Sequence, residues 1–76
     1  MTVEAIRRVH QARPFEPFVI YVADGRELTI RHPENIALTP QGRTILIGLP
    51  DENFEIVDLL LVTGLRTLKE TQASGG

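Results

Sequence analysis

Apolar and polar residues follow a helical period only at the start of this chain and a period near two for most of the rest. At 100° per residue Val3, Ile6 and Val9 share one face, Arg7, Arg8 and Gln11 lie opposite, and His10 falls on the apolar side. The pattern predicts a helix over residues 2–12, with Thr2 as N-cap, Glu4 at the positive end and i,i+4 to Arg8, and Pro14 as the stop. So short a helix is not stable alone and must dock on something. Arg13-Pro14-Phe15-Glu16-Pro17 reads as an extended connection anchored by aromatics. Two β-rich runs, residues 18–23 and 26–31, then flank Asp24-Gly25, the signature of a two-residue type I′ hairpin. That turn predicts Ala23 opposite Arg26, Tyr21 opposite Leu28 and Val19 opposite Ile30. The first strand is apolar on both faces, which predicts cover on both sides: a second sheet on one, and the helix or another subunit on the other.

Short strands and tight turns continue the pattern. His32-Pro33-Glu34-Asn35 reads as a turn, Ile36-Ala37-Leu38 as a strand, and Thr39-Pro40-Gln41-Gly42-Arg43 as a type I turn closed by a glycine bulge. A strand over residues 44–49 follows, then a turn at Pro50-Asp51-Glu52-Asn53, a strand from Phe54 and a single helical turn at Asp58-Leu59-Leu60. Residues 61–68 read as the last strand, because Val62 and Thr63 favour strand and Gly64 weakens a helix by about 1 kcal/mol, and residues 69–76 as a flexible polar tail. The expected fold is therefore mainly β: one domain over residues 1–68, a small antiparallel barrel or roll of five to six strands with an N-terminal α-helix. This layout resembles the SH3-like and Sm-like small β-barrels, in which a helix precedes bent strands and a single helical turn precedes the last one. The motifs Pro-Phe-Glu-Pro-Phe, Asp-Gly-Arg, His-Pro-Glu, Pro-Gln-Gly-Arg-Thr and Ile-Val-Asp-Leu-Leu-Leu-Val-Thr also resemble those of a group of short uncharacterised bacterial proteins across residues 13–65. That group carries no assigned activity and implies no residue roles.

Composition narrows the chemistry. A chain of 76 residues holds one small core, and it contains no Cys for disulfides, thiol catalysis or Cys-type zinc sites. No apolar run, Leu59-Leu60-Leu61-Val62 included, approaches the ~20 residues of a membrane span. With no basic-then-apolar segment after Met1, the expected location is the cytoplasm. Ser74 and the threonines lack a nucleophile setting, and Gly25, Gly42, Gly48 and Gly64 stand singly, so neither an enzyme nor a nucleotide cofactor is expected. His10, His32 and Glu34 match no metal-ligand spacing and read as packing and turn residues, so no metal or other cofactor is expected.

Three binding readings follow. The leading one is a non-catalytic protein-interaction module that self-associates, because a chain this small without staples carries more apolar strand surface than a short helix covers. Its candidate interface is Phe15, Phe18, Ile20 and Val22 with Leu59, Leu60 and Leu61. The alternative is an Sm-like oligomeric RNA-binding protein. Residues 1–32 carry net charge +1 and residues 33–76 carry −3, and a ring of subunits would repeat Arg7, Arg8 or Arg31 around a pore. A third, a ubiquitin-like modifier or sulfur carrier, rests on the terminal Gly75-Gly76 and is opposed by Pro33 and Pro40, where such a fold needs a long helix.

Overall fold

A computed structural model describes residues 1–68; the polar tail, with Gly75 and Gly76, lies outside the described residues. The elements are α1 (Val3–His10), β1 (Phe18–Val22), β2 (Glu27–Ile30), β3 (Ile36–Leu38), β4 (Thr44–Gly48), β5 (Phe54–Asp58) and β6 (Val62–Thr67), with 3-10 turns at Pro33–Asn35 and Leu59–Leu61. Every strand pairing is antiparallel, in two sheets of order β2-β1-β6 and β3-β4-β5. Among the described residues no strand of one sheet pairs with a strand of the other, so the mainly β fold consists of two three-stranded ladders and not a closed ring.

Both sheets and the helix share one apolar core. Phe18, Ile20 and Ile30 from the first sheet, Ile45, Ile47 and Val57 from the second and Ile6 from α1 are all essentially inaccessible to solvent. The helix begins where expected, with Thr2 Oγ1 accepting from Ala5 N–H at 3.3 Å, and ends two residues early, where Gln11 N–H donates to Arg7 O at 2.8 Å. Docking through Ile6 gives this short helix the tertiary support it lacks by itself. Phe15 packs half-buried against the core, its ring edge-on to Phe18 with centroids 5.9 Å apart.

The first hairpin departs from the sequence expectation by one residue. Val22 N–H donates to Arg26 O at 3.0 Å and Gly25 N–H to Val22 O at 2.9 Å, so Ala23, Asp24 and Gly25 make a three-residue loop and only Gly25 takes positive φ, +97°. Phe18 therefore lies opposite Ile30, Ile20 opposite Leu28 and Tyr21 opposite Glu27. Two physical causes favour this register. It puts Phe18, Ile20 and Val22 on the same face as Leu28 and Ile30, leaving Glu27 and Thr29 outside. It also lets the Asp24 carboxylate accept from Arg26 N–H at 3.1 Å, an Asx-type closure that the type I′ turn does not need.

The second hairpin forms as expected. Gly42 N–H donates to Thr39 O at 2.8 Å with Gly42 at φ +73°, and Thr39 pairs with Thr44 across the loop. Gly42 also meets the helix: a Cβ there would lie 2.6 Å from Val3 Cγ2. Alanine at Gly42 therefore brings both backbone strain and a clash, whereas at Gly25 nothing lies within 4 Å of a Cβ and only the strain applies. In urea unfolding, Gly42→Ala is expected to lower stability by about 2 kcal/mol or more, and Gly25→Ala by about 1 kcal/mol, both with an unchanged m-value.

Candidate interaction surface

The expected interface residues divide between core and surface. Phe18, Ile20 and Val22 are buried inside the chain and present nothing to a partner in this fold. The excess apolar character of β1 is thus absorbed internally: its inner face meets the second sheet and Ile6, and on its outer face Val19 lies between Thr29 and Arg66 and Tyr21 beside Gly64. Phe15 and Leu59 are half-buried against the core. Leu60 and Leu61 are exposed, 75% and 46%, on the 3-10 turn that Asp58 caps by accepting from Leu60 N–H at 2.9 Å.

The larger apolar surface lies elsewhere, on the outer face of the second sheet. Side chains alternate along β4 and β5, so Ile45, Ile47 and Val57 point inward while Leu46, Phe54 and Ile56 point out. Leu46 and Ile56 are direct cross-strand partners, Ala37 pairs with Leu46 on the other side, and Phe54 lies opposite Gly48. Phe54 is 64% exposed and Ile56 59%. Gly48 has no side chain to fill the space beside Phe54, and a shallow recess of about 300 Å³ remains there, walled also by Glu34, Asn35, Ala37 and Leu46. The sequence reading missed this face. The signal was available, because Ile45-Leu46-Ile47 and Ile56-Val57 are apolar on both faces by the same criterion that singled out β1.

Charged groups frame this sheet. Arg26 leaves the first hairpin and donates to Glu55 of β5 at 2.6 Å while also pairing with Asp24 at 2.8 Å, tying the two sheets together. The Arg26 side chain, and secondarily its backbone N–H, hold the Asp24 carboxyl below its ordinary value. In the turn before β5, Asn53 N–H donates to Asp51 at 3.1 Å and the Asn53 amide to its other oxygen at 2.9 Å, which lowers the Asp51 pKa as well.

The remaining candidate residues are spread over the molecule. His10 Nε2–H donates to Pro33 O at 2.8 Å, pinning the end of α1 to the 3-10 turn after β2, a packing role. Among the described residues no three His or carboxylate side chains gather where they could hold a metal ion. Of the arginines considered for nucleic acid, Arg7 is half-buried on α1, Arg8 is exposed on α1, and Arg31 is exposed just after β2. Among the described residues no helix is long and apolar enough to cross a membrane. No family model, curated protein or solved structure matches this chain.

Both lowered carboxyls have a definite linkage sign. Each stabilises the fold fully above the unfolded-state value of 3.8 and loses that contribution as pH falls through the lower folded-state pKa. Urea midpoints measured on the acid side are expected to fall with pH below 3.8, and Asp24→Asn and Asp51→Asn each to flatten that decline.

Proposed function

We propose that this chain is a non-catalytic protein-interaction module that self-associates through the outer face of the second sheet. One observation carries the reading: Leu46, Phe54 and Ile56 stand together on a sheet face whose other side packs on the core through Ile45, Ile47 and Val57. Apolar surface removed from water contributes about 25 cal/mol per Å², so a contiguous apolar face favours a partner where isolated exposed side chains do not. The order of elements supports an SH3-like or Sm-like layout for the module. The helix precedes β1, the Pro33–Asn35 turn bends the chain between β2 and β3, and the Leu59–Leu61 turn leads directly into β6. In this reading a neighbour completes the apolar surface that a small chain without disulfides leaves exposed.

Light scattering over micromolar to millimolar protein tests the proposal. The expected result is a mass that rises above the monomer with concentration. The double variant Leu46→Ser, Phe54→Ser should stay monomeric and keep the wild-type circular dichroism, because both residues lie outside the core. A wild-type protein that remains monomeric across the whole range overturns the proposal.

A further inference from the structure

We infer that the open edge of β2 takes an extended peptide segment of a partner protein as an added antiparallel strand, in the groove between β2 and the turn that follows β4. The site lies beyond the self-association reading and does not depend on it.

β2 has β1 on one side and, among the described residues, no strand on the other. Val22 N–H donates to Arg26 O at 3.0 Å, which makes that pair a hydrogen-bonded one and sets the phase of the ladder. With Ile20 opposite Leu28 and Phe18 opposite Ile30, Leu28 and Ile30 turn their backbone groups to β1. Glu27 and Thr29 turn theirs to the open edge, where among the described residues no backbone group bonds to them.

Those groups look into a groove of about 440 Å³. Leu28 lines it beside them, and Leu49 and Pro50 form the opposite wall. Leu28 is buried and Leu49 half-buried against the core, so both are fixed by packing. The walls meet at one end, where Asn35 O lies 3.7 Å from the Cβ position of Gly48.

One wall therefore offers N–H and C=O groups at strand spacing, and the other an apolar surface. An extended polypeptide supplies the complement of both. Its backbone pairs with Glu27 and Thr29, and the side chain opposite Leu28 falls between Leu28 and Leu49.

Glu27 sets the charge of the partner. Its side chain is exposed, with no ion pair or hydrogen bond among the described residues. A carboxylate on an open edge disfavours indiscriminate strand pairing, yet opposite Lys or Arg it becomes a favourable cross-strand pair. The segment that fits thus has a basic residue opposite Glu27 and, next to it in sequence, an apolar residue opposite Leu28.

The test is an NMR titration of isotope-labelled protein with the pentapeptide Thr-Val-Thr-Val-Lys, capped at both ends, whose antiparallel register sets Lys opposite Glu27 and the central Thr opposite Thr29. In the free protein the Glu27 and Thr29 amides are expected to exchange with solvent at least about tenfold faster than those of Leu28 and Ile30. The peptide should bind saturably below about 1 mM, shift the signals of Glu27, Thr29 and Leu49, and slow exchange at Glu27 and Thr29. N-methylation of its central Thr removes one cross-strand donor and should weaken binding at least about tenfold. Glu27→Lys, at an exposed position, should reverse the preference, so that the analogue ending in Glu binds more tightly than the one ending in Lys.

The inference is overturned by the absence of saturable shifts at Glu27 and Thr29, by equal binding of the N-methylated peptide, or by shifts confined to Leu46, Phe54 and Ile56. Slow exchange at Glu27 and Thr29 in the free protein also overturns it: a second copy holds the edge if the protection rises with protein concentration, and the chain itself holds it if not. A strictly monomeric wild type overturns self-association and leaves this site standing.

Discussion

A β-strand presents successive residues to opposite faces, so the pairing of Val22 with Arg26 decides which half of β1 is buried, and much of the molecule follows from that choice. With the three-residue loop in place, Phe18, Ile20, Val22, Leu28 and Ile30 form one continuous apolar face. The second sheet and Ile6 close over it. The same loop sets Arg26 as the first residue after the turn, from where its guanidinium reaches Glu55 on the other sheet. A shift of one residue would bring Tyr21 and Val19 to the core side with Leu28 and Ile30 and expel Phe18 and Ile20, the largest apolar groups of β1.

The second sheet obeys the same alternation with a different outcome. Its inner face is filled by Ile45, Ile47 and Val57, and among the described residues no further element lies over the outer one. Leu46, Phe54 and Ile56 are therefore left facing water, and they line up because β4 and β5 pair them side by side. Glu52 in the turn before β5 holds φ +71°, a conformation disfavoured for a residue with a side chain, and Asp51 stabilises that turn from within by accepting both Asn53 donors. The geometry of β5 is thus held by local hydrogen bonds at its start and by the Arg26 bridge at its middle.

Much of this was legible in the residues. Thr2 as cap, Pro40 and Gly42 in the second hairpin, the turn at residues 50–53 and the helical turn at Leu59 are all local signals, governed by side-chain capping, ring-fixed φ or the need for positive φ, and the structure uses each as read. The apolar surface was legible only in kind. Apolar residues on both faces of a strand imply that both faces need cover, but β1 and β4 both meet that description, and the sequence reading chose β1. In the fold β1 is central in its sheet, with a strand on each side, and lies against the core. β4 is also central, yet its outward Leu46 joins the exposed Ile56 of an edge strand.

The elements, their order and the tight turns after the first hairpin are readable from the residues alone, since these depend on interactions within a few residues. The register of the first hairpin and the apolar face that stays exposed are set by packing between distant parts of the chain. Asp24-Gly25 accommodates loops of two or three residues at similar local cost, and the choice falls to packing between Phe18, Ile20 and side chains some 25 to 40 residues away in the chain, Ile45, Ile47 and Val57.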